Sequence, residues 1–144
     1  MTDPLISVVV PCYNAAPWLE ATIKSVRAQT WRRYEIILVD DGSNDGSGGI
    51  ADRLAGPDLK VVHQKNAGQC AALNHGLRLA QGEFIQFLDA DDVLAPDKLT
   101  VQMQRLHDTA PGWIASGAWA RFSDDPAEAV FTPEGVWQDL APVD

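Results

Sequence analysis

Residues 5–10 of this chain read Leu-Ile-Ser-Val-Val-Val, and the next four residues are Pro11, Cys12, Tyr13 and Asn14. The first six residues form a short, nearly continuous apolar run that is rich in β-branched side chains. A run of this kind is typical of a strand buried on both faces of a parallel sheet. The segment therefore predicts a central parallel strand that ends at Pro11 and is followed directly by polar residues.

Similar apolar runs follow at regular intervals. They predict strands at 35–39, 59–62 and 84–88, and a fifth at 113–116. The segments between them predict helices: one with Trp18, Leu19, Ile23 and Val26 at helical spacing and Pro17 near its first turn, a weak one at 47–55, one at 68–79, and one that begins at Pro96 with Leu99, Met103 and Leu106 on one face. This alternation predicts an α/β fold, with a Rossmann-like, mostly parallel sheet and helices on both faces.

The composition is that of an ordinary globular domain. The chain has 144 residues, of which 46% are hydrophobic and 22% charged, and its formal net charge is −9. Residues 124–144 contain acids but no base. We therefore expect one folded domain at 1–123 and an acidic, proline-containing tail at 124–144. The negative charge disfavours nucleic acid as a partner, because phosphate groups bind to basic surfaces.

Several location signals are missing from the sequence. No apolar run approaches the ~20 residues that a transmembrane helix needs. The first residues, Met-Thr-Asp-Pro, lack the basic start and apolar core of a signal peptide. The two cysteines, Cys12 and Cys70, match neither a disulfide framework nor a zinc spacing. We expect a cytoplasmic protein.

Polar residues cluster at the predicted carboxyl ends of four strands, which is where parallel sheets bind ligands. They are Tyr13 and Asn14 after the first strand, Asp40 and Asp41 after the second, Asn66 after the third, and Asp89, Asp91 and Asp92 after the fourth. Four strand ends that contribute polar groups to one edge of the sheet predict a ligand site there.

The acids after the fourth strand allow two interpretations. Three carboxylates this close repel one another unless water or a cation screens them. Carboxylate oxygens suit Mg²⁺ or Mn²⁺, which in proteins usually keep several waters and hold substrate phosphates. One interpretation is therefore a metal site that holds a diphosphate. The other is a solvated acidic loop that caps the following helix.

The other edge residues also leave alternatives open. Asp40 and Asp41 are suited to a metal, to hydrogen bonds from a ligand's N–H or hydroxyl groups, or to an Asx turn. Tyr13 offers a face for a nucleobase or a partly buried packing contact. Residues 41–52 mimic a calcium-binding EF loop, but Gly48 stands where an aliphatic residue is expected and a strand precedes the loop. P-loop, dinucleotide-binding and serine-hydrolase motifs are absent from the sequence.

Four blocks of the sequence, in order, closely resemble family 2 glycosyltransferases. They are Val-Val-Val-Pro-Cys-Tyr-Asn at 8–14, Ile-Leu-Val-Asp-Asp-Gly-Ser-Asn-Asp-Gly-Ser at 37–47, Lys-Asn-Ala-Gly-Gln at 65–69 with Leu-Asn-His-Gly-Leu at 73–77, and Gly-Glu-Phe-Ile-Gln-Phe-Leu-Asp-Ala-Asp-Asp at 82–92. Each block alone is a weak signal, whereas the ordered set, which spans about residues 5–106, is highly specific.

The resemblance implies the N-terminal half of a GT-A fold. Residues 1–123 would be the nucleotide-sugar-binding half-domain, and 124–144 the start of an acceptor-binding part. The implied reaction is transfer of a sugar, with inversion, from a nucleotide diphosphate sugar, most simply a UDP-sugar, with Mn²⁺ or Mg²⁺ as cofactor. Association with the inner face of the membrane and homodimer formation are compatible with this expectation.

The resemblance also implies roles for particular residues. Tyr13 would stack on the base, Asp41 would hydrogen-bond to it, and Asp40 would support the same loop. Asp91 would be the principal metal ligand, with Asp89 nearer the ribose and sugar. The full set expected to bind the nucleotide sugar is Pro11, Tyr13, Asn14, Asp40, Asp41, Asn66, Gly68, Asn74, Asp89 and Asp91.

Two features depart from the family pattern. Leu73 stands where many relatives have an arginine that can meet the diphosphate. Inversion requires a base that deprotonates the acceptor hydroxyl, and the acids Glu128, Glu134 and Asp139 lie in no recognisable motif, so no base is assigned. A non-catalytic nucleotide-binding module and a nucleotidyltransferase are the alternative functions.

Overall fold

The computed structural model describes residues 3–106 and 114–131. The strands are β1 (Ile6–Cys12), β2 (Tyr34–Asp40), β3 (Leu59–His63) and β4 (Phe84–Phe87), and the α-helices are α1 (Leu19–Arg27), α2 (Ser47–Leu54), α3 (Gln69–Leu79) and α4 (Lys98–Leu106). A short 3₁₀ turn covers Pro126–Glu128. The strands and helices alternate as the sequence predicts.

The four strands form one parallel sheet in the order β3-β2-β1-β4. The chain moves outward from β1 to β2 and β3, and then crosses back to place β4 on the other side of β1. Right-handed connections put helices on opposite faces when the direction of winding reverses. The point between β1 and β4 is therefore a topological switch point, where sheets of this type bind ligands.

Helices cover both faces of the sheet, which confirms the predicted fold class. On one face, α1, α2 and α4 pack on β1 and β2 around fully buried side chains such as Val8, Ile23 and Leu38. On the other face, α3 packs on Ile37 and Val39 through Ala72. The two central strands, β1 and β2, are buried on both faces over most of their length, which explains why their sequences are continuous apolar runs rather than alternating ones. The edge strands β3 and β4 are partly exposed.

Pro11 lies inside β1 rather than at its end, since the strand continues to Cys12. The β4 pairing stops at Val9, which lies opposite Phe87, and the Val9 carbonyl accepts a hydrogen bond from Leu88 N. The alternation of hydrogen bonds along a parallel strand directs the Pro11 nitrogen toward the β4 side, one step further on. Proline has no N–H to donate there, so the ladder between β1 and β4 ends at this point.

The predicted fifth strand is wrong in its described part. Residues 114–116 have no regular secondary structure, and Trp113 lies outside the described residues. Ile114 is 89% exposed, and the Ala115 carbonyl accepts a side-chain hydrogen bond from Gln102 instead of a strand ladder bond. An apolar run becomes a strand only where a neighbouring strand satisfies its backbone.

Two helices begin slightly later than predicted, since Pro17 precedes α1 and α4 begins two residues after Pro96, whereas α2 begins at residue 47 as predicted. The expected boundary between 1–123 and 124–144 stays a prediction, and Glu134 and Asp139 lie outside the described residues. Within 3–106 and 114–131, no helix is both long and apolar enough to cross a bilayer.

Replacing Gly76 with alanine should destabilise the domain. A β-carbon at this position of α3 would lie 2.4 Å from Val9 Cγ1, so either the buried Val9 side chain or the helix would have to shift. We expect Gly76→Ala to lower the free energy of unfolding by about 1–3 kcal/mol, the usual cost of overpacking, as measured by urea denaturation.

The matched control is Gly49→Ala in α2, where an added β-carbon meets only Arg53 Nη1 at 4.0 Å. Alanine is the better helix former by ~1 kcal/mol, so this variant should be neutral or stabilised. Equal stability of the two variants would contradict the close packing of α3 on the sheet.

Candidate functional site

A cleft of about 520 Å³ opens at the carboxyl ends of the strands, beside the switch point between β1 and β4. Its walls come from the residues that follow β1, from the connection between β3 and α3, and from the acidic loop after β4. The lining residues are Pro11, Cys12, Tyr13, Asn14, Ala15, Trp18, Asp41, Asn66, Gly68, Gln69, Ala72, Asp89, Ala90 and Asp91.

The structure brings most of the predicted site residues together. Those that line the cleft are Pro11, Tyr13, Asn14, Asp41, Asn66, Gly68, Asp89 and Asp91. Asp40 and Asn74 lie outside its lining: Asp40 is buried below the loop after β2, and Asn74 is exposed on α3. The contacts of all ten with a nucleotide sugar stay predictions.

Asp41 is a buried, hydrogen-bonded polar group in the wall of the cleft. It is only 2% exposed, and Oδ1 accepts hydrogen bonds from Gln64 Nε2 at 2.7 Å and Ala67 N at 2.9 Å, while Oδ2 accepts one from Gly68 N at 2.8 Å. Burial alone would raise the pKa of this carboxyl, but these donors outweigh it and hold the pKa below its ordinary value. Asp41 is therefore an ionised acceptor in the wall of the cleft.

A glycine allows the β3–α3 connection to approach Asp41 this closely. Gly42 has φ +74°, and a β-carbon on it would lie 2.9 Å from Asn66 N. Any other residue would be strained in this backbone conformation and would also push the Asn66 segment away. Asp41 and Gly42 thus act together to join the ends of β2 and β3.

Asp40 supports the loop from below. Its Oδ1 accepts a hydrogen bond from Ser43 N at 3.1 Å, and its Oδ2 lies 2.9 Å from His63 Nδ1. Burial raises the pKa of Asp40, but the bonds from Ser43 and His63 prevail and lower it. The other ring nitrogen of His63 lies 2.9 Å from Asp52 Oδ1 on α2.

The loop after β1 is fastened to the loop after β2. Asn14 has φ +53°, which few non-glycine residues adopt. Its N–H donates to Ser43 Oγ at 3.0 Å, and its side-chain Oδ1 accepts from Asn44 N at 2.9 Å. Ala15 N donates to Ser47 Oγ at 2.9 Å. This arrangement leaves Tyr13 at the mouth of the cleft with 52% of its surface exposed.

The acidic loop after β4 is fastened on two sides. Gln69 Nε2 donates to Asp89 Oδ1 at 2.8 Å, and Thr22 Oγ1 of α1 donates to the Ala90 carbonyl at 2.8 Å. Asp89 and Asp91 are both exposed. The pKa of the neighbouring Asp92 is raised, by loss of hydration first and then by the negative charges of Asp91 and Asp89. The loop concentrates negative charge beside the cleft.

This donor set fits Mg²⁺ or Mn²⁺. Both ions prefer oxygen ligands and are commonly held by one or two carboxylates, with substrate phosphates and water filling the remaining positions. Asp89 and Asp91 supply two such carboxylates. Among residues 3–106 and 114–131, no group of three or more acid, histidine or cysteine side chains is placed to enclose a metal ion. The calcium-loop alternative gains no support, because Asp45 accepts hydrogen bonds from Ala16 N and Ser47 instead.

Sequence reasoning missed two polar or aromatic members of the cleft. Trp18 falls on the spacing that predicts the first helix, yet it precedes α1, is 50% exposed and lines the cleft. Gln69, which holds Asp89, was not among the predicted site residues. It is the last residue of the Lys-Asn-Ala-Gly-Gln block at 65–69, and that position is the signal that could have indicated it.

The fold is a Rossmann-like α/β domain, and its cleft lies beside the switch point of the sheet. The model of the family described as "Glycosyl transferase family 2" matches residues 7–133. The chain belongs to this family, which confirms the resemblance seen in the sequence.

Two curated relatives show the extent of the similarity. The chain is 41% identical over 107 residues to glycosyltransferase GlyG of Streptococcus pneumoniae, an alignment covering 72% of this chain and 36% of the relative. It is 42% identical over 109 residues to the uncharacterized glycosyltransferase EpsJ of Bacillus subtilis, covering 74% and 30% respectively. The chain therefore spans about a third of the length of these relatives.

Solved structures of other proteins share this fold. Mannosyltransferase PcManGT from Pyrobaculum calidifontis, in complex with GDP-Man and Mn²⁺, has a TM-score of 0.70 at 34% identity, covering 77% of this chain and 34% of that one. S. aureus TarS 1–349 in complex with UDP has a TM-score of 0.64 at 28% identity, covering 71% and 32%. Both neighbours hold a nucleotide or nucleotide sugar.

His63 should make the stability of the domain depend on pH. The hydrogen bonds to Asp40 and then Asp52 raise the pKa of His63 above its ordinary value of about 6.5. A raised folded-state pKa stabilises the fold at pH values below the unfolded pKa, and this stabilisation is lost as the pH rises through the folded pKa. The difference in melting temperature between wild type and His63→Gln should therefore be largest below about pH 6.5 and shrink above it.

Asp52→Asn serves as the control, because it removes one of the two carboxylates that face the ring. This variant should show a weaker pH dependence than wild type in the same thermal scans. A difference between wild type and His63→Gln that grows with rising pH would mean that the imidazole is neutral in its contact with Asp40.

Proposed function

We propose that this chain is the donor-binding part of a glycosyltransferase that transfers a sugar from a nucleoside diphosphate sugar, most simply a UDP-sugar, to an acceptor. One observation carries this proposal: an aromatic face, a buried ionised carboxylate and an exposed acidic pair line a single cleft at the switch point of the sheet. These groups match the base, the base edge and the diphosphate of such a donor, in that order.

The base would bind between the β1 and β2 ends. Tyr13 offers an exposed ring for stacking, and stacking on an aromatic ring is worth about 1–3 kcal/mol per base. Both oxygens of Asp41 accept hydrogen bonds that orient the carboxylate. Among the described protein contacts, Oδ2 accepts only one. It can accept one more, from an N–H group on the edge of a base. Asn14, Asn66 and Gly68 would border the ribose.

The diphosphate would lie toward the acidic loop. Asp91, with Asp89, would hold Mn²⁺ or Mg²⁺, and Asp89 is already oriented by Gln69. A divalent ion bound there would neutralise the negative charge that develops on the departing diphosphate. The residues themselves would contribute by binding and orienting the donor so that its sugar faces the open side of the cleft.

The stereochemistry and the general base are also part of the proposal. Transfer with inversion needs a base that deprotonates the acceptor hydroxyl, and we assign no described residue to that role. Because the chain spans about a third of its relatives, the transfer reaction is proposed for the whole protein. The predictions of a cytoplasmic location, association with the inner face of the membrane and homodimer formation remain predictions.

Replacing Asp91 with asparagine should remove metal-dependent donor binding. The substitution keeps the size of the side chain but removes the negative charge proposed to hold the cation. In calorimetric titrations with UDP and Mn²⁺, we expect Asp91→Asn to bind at least tenfold more weakly than wild type, and to bind equally with Mn²⁺ and with EDTA.

The control for this experiment is Asp97→Asn, which removes an exposed acid near the start of α4 and outside the cleft lining. It should bind UDP like wild type. Wild-type binding that is the same with Mn²⁺ and EDTA would favour a metal-independent binding module, and release of pyrophosphate from a nucleoside triphosphate would favour a nucleotidyltransferase.

Tyr13 should contribute through its ring rather than its hydroxyl. Tyr13→Ala is expected to weaken UDP binding by about 1–3 kcal/mol because the stacking face is lost, whereas Tyr13→Phe should stay within a few-fold of wild type. Calorimetry with each variant measures both effects. An equal loss in the two variants would assign the contribution to the hydroxyl and remove Tyr13 as the stacking residue.

A further inference from the structure

We infer that Gln64 and His75 are positioning residues for nucleobase recognition, acting through Asp41. This inference rests on the proposed function, because it concerns the carboxylate that would read the base edge. Neither residue lines the cleft. Their contribution is the orientation of a group that does.

The three side chains form a continuous line of hydrogen bonds behind the cleft wall. His75 Nδ1 on α3 lies 2.8 Å from Gln64 Oε1, and Gln64 Nε2 donates to Asp41 Oδ1 at 2.7 Å. Gln64 follows β3 directly, and its own N–H donates to the Asp40 carbonyl at 2.9 Å. The line therefore joins α3, the end of β3 and the end of β2.

The chemistry of each group sets the direction of every bond in this line. An ionised carboxylate only accepts hydrogen bonds, so the amide nitrogen of Gln64 must face Asp41. The amide oxygen then faces His75, whose Nδ1 must carry the proton to donate to it. His75 thus prevents the Gln64 amide from rotating by half a turn, which would present an oxygen to the carboxylate.

The consequence appears at the cleft. Gln64 and Ala67 occupy Oδ1, and Gly68 occupies one position on Oδ2. A carboxylate held in this way presents one remaining acceptor position on a defined oxygen. Without the donor from Gln64, only the backbone N–H groups of Ala67 and Gly68 hold the carboxylate, and Oδ1 also presents an open acceptor position. The direction in which Asp41 would meet an N–H group of the base is then less well defined.

The experiment measures binding of UDP and of inorganic pyrophosphate, both with Mg²⁺, by calorimetry. His75→Leu removes the donor to Gln64, and His75→Asn restores it because the asparagine amide nitrogen overlays histidine Nδ1. We expect His75→Leu to weaken UDP binding by about three- to tenfold, the range of one neutral hydrogen bond, and His75→Asn to bind within twofold of wild type. Pyrophosphate, which has no base, should bind all variants equally.

A double-mutant cycle with Gln64→Met tests whether the residues act in series. Methionine keeps the length of the side chain but donates no hydrogen bond. If His75 acts only through Gln64, the double variant should bind UDP no more weakly than Gln64→Met alone. Gln104→Met on the exposed face of α4 is the matched control and should bind like wild type.

Several outcomes would overturn the inference: UDP binding unchanged in His75→Leu and Gln64→Met, an equal loss of pyrophosphate binding, or additive losses in the double variant. Melting temperatures identify any variant that fails to fold. If His75→Leu fails to fold, Gln64→Met supplies the same comparison of UDP with pyrophosphate binding. Wild type that binds pyrophosphate but neither UDP nor GDP would instead refute the proposed function itself.

Discussion

The arrangement of the loops at the carboxyl edge of the sheet depends on the hydrogen bonds that the Asp41 carboxylate accepts. It follows β2 directly and is almost fully buried, yet it collects hydrogen bonds from Gln64, Ala67 and Gly68, all in the connection after β3. Without these donors, an ionised group in this position would be costly to bury. With them, one side chain joins two strand ends and remains charged beside the open cleft.

The other strand ends are joined in the same manner. Asn14 connects the β1 loop with the β2 loop, Gln69 connects the start of α3 with Asp89, and Thr22 connects α1 with the loop after β4. Apolar packing forms the sheet and its two helical layers, whereas polar contacts fix the loops above it. The same polar groups therefore define the shape of the cleft and its chemistry.

Features that depend on residues close together in the chain could be predicted from the sequence. Apolar runs predicted the four strands, and three of the acids that come after β2 and β4, namely Asp41, Asp89 and Asp91, line the cleft. Contacts between residues far apart in the chain could not be predicted. His75 and Gln64 are ordinary surface residue types, and only the fold places them in line with Asp41. The spacing of apolar residues also could not show that Trp18 lies just before α1, since this spacing continues unchanged across the start of the helix.

Pro11 has a further consequence for access to the cleft. Because its nitrogen carries no hydrogen, Pro11 cannot donate the next ladder bond toward β4, and the strand pairing stops at Val9 and Phe87. A ligand that binds in this gap would displace no strand pairing. The gap already exists in the folded chain, so opening it would add nothing to the free-energy cost of binding.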